Sequence, residues 1–184
     1  MDEILAMTIR TFVDPGDAVL TTYPTYTLYD TLAKLHGAHV VEVDLDEAFQ
    51  LPEAFFTTPA RLVFLTRPNA PSGVAAPKDA VERLCKTFDG IVFLDEAYVD
   101  FAADHCMDFV QRFDNVIVGR TFSKSYSLAG MRLGVGAASP AIIGEFLKTK
   151  DSYNMNAAAL AVGTAAIEDP DVMEANTARI RATR

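Results

Sequence analysis

The stretch "IVFLDEAYVDF", residues 91–101, runs apolar for four residues and then turns acidic at Asp95 and Glu96. A strand buried on both faces of a sheet reads as such a continuous apolar run, and it ends where polar residues begin. Runs of the same kind occur on either side: "AVLTT" (18–22), "HVVEV" (39–43), "LVFLT" (62–66), "NVIVG" (115–119) and "LGVGAA" (133–138). Helical patterns separate them. Residues 26–36 stop at Gly37, a helix-ending signal. Residues 77–88 open on Pro77 and carry Val81, Leu84, Cys85 and Phe88 at helical spacing. A shorter helix is predicted over 107–113, with others over 140–148, 157–168 and from 171 onward. Strands alternating with helices predict an α/β fold, a mostly parallel sheet sandwiched by helices. In such sheets, ligands bind beyond the carboxyl ends of the strands, so the residues that follow each strand carry the functional reading.

The bulk composition narrows the partners. The chain has 184 residues, enough for one domain with a sizeable core, and 50% of them are hydrophobic. Its formal net charge of −9 argues against nucleic acid or an anionic membrane as partner. Local donors can still bind a small anion. Cys85 and Cys106 form no CxxC pair, and His36, His39 and His105 have no metal-ligand spacing. No metal is expected. The first residues, "MDEILAM", are acidic and unlike a signal peptide, and no apolar run is long enough to span a bilayer. The expected location is the cytoplasm. The chain starts inside one helical pattern and stops inside another, as a fragment of a larger protein would.

Three strand ends stand out. After "LVFLT" comes "RPNAPSG" (67–73), a tight turn by its Pro, Asn and Gly content. After "IVFLD" comes Asp95, able to neutralise a cation at the sheet edge, with Tyr98 three residues on. An Asp there also serves as a helix N-cap. An apolar strand ending in Asp-Glu resembles the magnesium-binding strand of P-loop ATPases too, but no GxxxxGK[ST] loop occurs in the preceding 94 residues. After "NVIVG" comes "RTFSKSYSLAGMRLG" (120–134). Lys124 lies between Phe122 and Tyr126, where burial would desolvate its ammonium and free the amine as a nucleophile. Thr121, Ser123 and Arg132 supply hydroxyls and a guanidinium suited to a phosphate. Phosphate beside a reactive lysine is the pattern expected for pyridoxal phosphate.

In order and spacing these segments resemble the fold type I pyridoxal-phosphate-dependent aminotransferases, and within them the histidinol-phosphate aminotransferase branch. "RPNAPSG" is similar to the family's PNxPTG turn, "LDEAYVDF" to its DEAY element and "RTFSKSYSLAGMRLG" to its SK–LAGxRxG element. "FVDPGDAVLTTYPTYTLY" (12–29) and "KDSYNMN" (150–156) resemble the entry to and exit from its large domain. The resemblance covers nearly the whole chain.

It implies a cofactor, pyridoxal 5'-phosphate, and a role for each matching residue. Lys124 would bond covalently to the cofactor and carry the proton during transfer. Asp95 would pair with the ring nitrogen, Tyr98 would hydrogen-bond the ring 3'-oxygen, and Tyr26 would stack on the ring. Thr121, Ser123 and Arg132 would hold the phosphate. The family's Gly-Ser/Ala step, whose amides help cradle that phosphate, corresponds to Met1 and Asp2, which adds Asp2 to the cofactor-binding set. Asn69 is the remaining Asn of a turn that often has two, Ala70 standing at the second. The implied reaction moves an amino group between amino-acid and 2-oxo-acid substrates: imidazole acetol phosphate aminated by glutamate. An aromatic aminotransferase, a threonine-phosphate decarboxylase and an inactive truncated fold are the alternatives. Residues 1–184 would be the large domain without the N-terminal arm or the C-terminal small domain. Relatives of this kind are homodimers, and exposed apolar faces would make the chain self-associate.

Overall fold

The computed structural model describes residues 1–183. Helix α1 (Asp2–Phe12) leads into strand β1 (Ala18–Tyr23), helix α2 (Leu28–Leu35), strand β2 (His39–Asp44), helix α3 (Glu53–Thr57), strand β3 (Leu62–Thr66), helix α4 (Lys78–Thr87) and strand β4 (Ile91–Asp95). Strands β5 (Val116–Thr121) and β6 (Gly134–Ala138) and helices α5 (Pro140–Thr149), α6 (Ala157–Glu168) and α7 (Asp171–Thr183) complete it. The predicted strands are all present.

Two helical expectations change. Residues 107–113 form a 3₁₀ turn, Met107–Gln111, instead of an α-helix. The predicted 26–36 helix is shorter, because Thr27 precedes its first turn and Gly37, at φ +79°, ends it. Helix α3 had no sequence signal. Five residues between two loops are too few to show a helical period.

The strands are ordered β2-β1-β3-β4-β5-β6. The first five are parallel, and β6 pairs antiparallel with β5. A parallel neighbour needs a crossover, usually helical. The chain from β5 to β6 contains one 3₁₀ turn, Ala129–Met131, and folds straight back. Alternate residues of the central strands feed two cores. Leu20, Val63, Leu65, Val92, Leu94, Val116 and Val118 pack with α3 and α4 through Phe55, Val81, Leu84 and Cys85. Val19, Leu62, Phe64, Phe93 and Ile117 pack on the other face with α1, α2 and α5 through Leu5, Ile9, Tyr29, Ala33, Ile142 and Phe146. Covering both faces is what makes β3 buried along its whole length. Cys85 and Cys106 are buried, and burial pushes their thiols up to about 12 and about 11. Neither is a reactive thiol at neutral pH.

The sheet runs outward in both directions from the gap between β1 and β3, with the edge strand β2 beyond β1. Connections leave β1 and β3 toward opposite sides there and open a crevice at the carboxyl ends of the strands.

Candidate functional site at the carboxyl edge of the sheet

A cavity of about 260 Å³ opens at this edge, lined by Tyr26 after β1, Thr66 and Ala70 at the end of β3, and Asp95, Ala97 and Tyr98 at the end of β4. Thr121, Ser123, Lys124, Ala129 and Arg132 line it from the end of β5 onward, and Met1 and Asp2 from the start of α1. The fold thus brings Lys124, Asp95, Tyr98, Tyr26, Thr121, Ser123, Arg132 and Asp2 to one place. Asn69 lines a neighbouring cavity of about 480 Å³, which shares Ala70 and Tyr98 with the first. Its amide nitrogen donates to the Pro24 carbonyl at 3.2 Å and to Ser72 Oγ at 3.0 Å, while its buried Oδ1 has no partner among the described residues.

Asp95 sits at the floor. Its neighbours in register are Thr66 on β3 and Gly119 on β5. The Tyr29 hydroxyl donates to Asp95 Oδ2 at 2.6 Å, and the Ala97 amide donates to Oδ1 at 2.9 Å. Among the described residues no cation pairs with it. Burial pushes its carboxyl above the usual range, against the pull of these two hydrogen bonds and of the Met1 ammonium. Thr66 Oγ1 lies 2.7 Å from the Tyr29 hydroxyl. The Tyr29 ring stacks on Phe64, centroids 4.7 Å apart and planes 8° apart, and Phe64 belongs to the core beneath. Burial and the Asp95 carboxylate raise the Tyr29 phenol well above its ordinary value, so it stays a donor.

Tyr29 and Thr66 are the residues the sequence reading missed. Thr66 is the last residue of an apolar strand, a position that faces a crevice in this class of sheet. Tyr29 falls three residues after Tyr26, in the first turn of α2, and the two rings meet edge to face at 5.6 Å.

Lys124 stands on the loop that follows β5. That loop is shaped by local hydrogen bonds: Ser123 N donates to Thr121 Oγ1 at 3.2 Å, Ser127 N to Lys124 O at 3.0 Å and Leu128 N to Phe122 O at 2.9 Å. Phe122 anchors it in a small cluster with Leu133 and Ala159. The expected desolvation of Lys124 is not found. Its side chain is exposed, because the buried residues flanking it are Phe122 and Ser125 and the chain turns it outward. The ammonium rests over the Tyr98 ring, 5.0 Å from the centroid. Arg132 has φ +55°, a left-handed conformation uncommon outside glycine. Its guanidinium donates to Asp2 Oδ2 at 2.9 Å and to the Ala129 carbonyl at 3.1 Å. Glu96, next to Asp95, points away from the cavity and pairs with Arg120 at 2.8 Å.

One small volume therefore holds an exposed primary amine, a buried carboxylate that no side-chain cation pairs with among the described residues, and two phenols. A guanidinium, two hydroxyls and the start of a helix stand at its rim. That set can hold a planar cation against the carboxylate and an anion at the rim, with an amine between them.

Comparison with known proteins agrees in kind. The family model described as aminotransferase class I and II matches residues 1–184. The histidinol-phosphate aminotransferase of Rippkaea orientalis is 43% identical over 183 residues, which is 100% of this chain and 53% of the relative. That of Microcystis aeruginosa is 44% identical, with the same coverage. The chain thus spans about half the length of the curated relatives it matches. Among solved structures, the histidinol-phosphate aminotransferase of Sinorhizobium meliloti, in complex with pyridoxal-5'-phosphate, superposes with a TM-score of 0.91. It is 28% identical, covering 97% of this chain and 51% of that one.

Proposed function

The chain belongs to the class I and II aminotransferase family, and on that premise we propose that it is the large, cofactor-binding domain of a histidinol-phosphate aminotransferase. The reaction proposed is amination of imidazole acetol phosphate with glutamate as donor. The cofactor proposed is pyridoxal 5'-phosphate, the setting the cytoplasm, and the assembly a homodimer or other self-association.

The observation that carries this reading is Asp95. It is buried, no side-chain cation pairs with it among the described residues, and burial raises its carboxyl. A protonated ring nitrogen held against it would supply the missing charge, so the residues present fit the cofactor. The phosphate fits the rim, where Ser123 and Arg132 offer donors and the first turn of α1 offers backbone amides; Thr121, whose hydroxyl now donates to the Leu133 carbonyl at 3.3 Å, would turn to join them. Asp2 contributes there through its backbone. Its carboxylate now occupies Arg132 and would give way to the phosphate.

Bound there, pyridoxal phosphate supplies an electron sink for charge developing at the α-carbon of an amino acid. Asp95 keeps the ring nitrogen protonated. Tyr29 holds Asp95 Oδ2 in place, and the Ala97 amide holds Oδ1. Tyr98 would donate its hydroxyl to the ring oxygen and Tyr26 would cover a ring face, while Asn69, in the adjoining cavity, would hold the turn beside them through Pro24 and Ser72. The Lys124 amine would hold the cofactor and carry the proton that changes position in the reaction. Exposure leaves its Nζ able to move within the cavity, as both roles would require.

The test is incubation with pyridoxal phosphate, borohydride reduction and peptide mapping. A label on Lys124 is expected, and a protein that takes none loses the cofactor assignment. Spectral conversion by glutamate is the second step. Labelled protein that glutamate leaves unchanged would be a cofactor-binding fold without turnover.

A further inference from the structure

Among the described residues, no hydrogen bond or ion pair holds Lys124 Nζ; it has the Tyr98 ring at 5.0 Å and otherwise solvent. Its reach is therefore set by where its backbone is anchored. The adjacent residue, Ser125, is buried, and its hydroxyl donates to Asp100 Oδ2. Asp100 lies two residues beyond Tyr98, on the loop that follows β4. Among the described residues, this one hydrogen bond joins the Tyr98 loop to the Lys124 loop.

Both ends of that bond are themselves held. On the Asp100 side, Arg181 of α7 donates from Nη2 to the Asp100 and Ala102 carbonyls, each at 2.7 Å. The base of the same loop is closed by Glu96, whose carboxylate accepts from the Cys106 amide and from Arg120. On the Ser125 side, Phe122 and the turn to Leu128 fix the chain. Asp100 does not line the cavity that holds Lys124 and Tyr98; it lines a separate one with Val99, Asp104 and Arg120.

We propose that Asp100 is a positioning residue that sets the spacing between Tyr98 and Lys124 through its hydrogen bond from Ser125. A charge-assisted bond from a buried hydroxyl is among the stronger hydrogen bonds available to such a loop. Asp100 stands outside the cavity proposed for the cofactor. The inference rests on the function proposed above, since it concerns how that site presents its amine.

Asp100→Ala and Ser125→Ala remove the acceptor and the donor, and Asp100→Asn keeps an oxygen acceptor. Amide hydrogen exchange in the cofactor-free protein reads the loop directly. Visible circular dichroism per bound pyridoxal phosphate reads how rigidly an achiral chromophore is held. In Asp100→Ala and Ser125→Ala, exchange over residues 122–128 should quicken about tenfold, the scale expected for one such bond. Visible dichroism should fall severalfold while borohydride still labels Lys124. Asp100→Asn, which keeps the acceptor but not its charge, should lie nearer wild type than Asp100→Ala in both. Wild-type exchange and dichroism in Asp100→Ala would overturn the proposal, as would Asp100→Asn behaving like Asp100→Ala. Should Ser125→Ala fail to fold, the two Asp100 variants decide alone. If wild-type protein takes up no pyridoxal phosphate, the proposed function fails, and exchange alone decides the tie between the loops.

Discussion

Asp95 shows at the scale of one residue how a site differs from a core. Its burial favours the protonated carboxyl in the cofactor-free fold, whereas in the unfolded chain it titrates at an ordinary value of about 3.9. Between that value and the raised folded one, the folded state binds more protons. Stability therefore falls as pH rises through that window and stays lower above it. Asp95→Asn has no proton to lose. Urea denaturation of cofactor-free protein across a pH series should show the variant gaining on wild type as pH climbs above the ordinary carboxylate range. Parallel curves would mean that Asp95 is not the group responsible. Tyr29→Phe acts on the same carboxylate from its other side. It leaves Asp95 Oδ2 without its donor and should cost about 1–3 kcal/mol of stability. It should also weaken pyridoxal phosphate binding without moving the label from Lys124. Lys124, Asp95, Tyr98 and Arg132 were legible from sequence because each sits at a fixed offset from a recognisable strand or turn. Tyr29 was not, since its partner is 66 residues away and no local signal announces that distance.

Between elements, the docking of α1 on β6 decides the rim of the cavity. Gly134 opens β6, and a Cβ built there would lie 2.2 Å from the Met1 backbone nitrogen and 2.9 Å from its Cα. A backbone atom cannot swing aside as a side chain can. Gly134→Ala should push the start of α1 off the sheet and lower stability by about 1–3 kcal/mol, the range for overpacking. Met1 and Asp2 line the cavity, so pyridoxal phosphate affinity should fall as well. Thermal melts and a binding titration check both. Affinity unchanged beside a lowered melting point would separate the α1 contact from the phosphate rim. The elements themselves are legible in the sequence, strands best, because two-sided burial leaves a continuous apolar run. The 3₁₀ turn at Met107–Gln111 and the five-residue α3 were misread or missed, both being too short to show a period.

Across the whole molecule, the apolar surface is uneven. Leu147, Leu160, Ile167 and Val172 are each more than half exposed, and all lie on α5, α6 or α7. Leu160 and Ile167 stand seven residues apart, on one face of α6. Wild-type protein should associate as its concentration rises in sedimentation equilibrium, and replacing both residues with Lys should shift it toward monomer. A wild-type monomer at every concentration would remove the case for self-association through this face. On this scale the sequence by itself determined the fold class and placed the principal chemical groups at strand ends. Apolar period, turn residues and short motifs are properties of neighbours in the chain. Tertiary structure alone decided the strand order, the antiparallel β6, the exposure of Lys124, and the partners of Asp95, Glu96 and Asp100. Those depend on which distant segments the packed sheet and helices bring together. Two groups far apart in the chain acquire a hydrogen bond only once the core between them has formed.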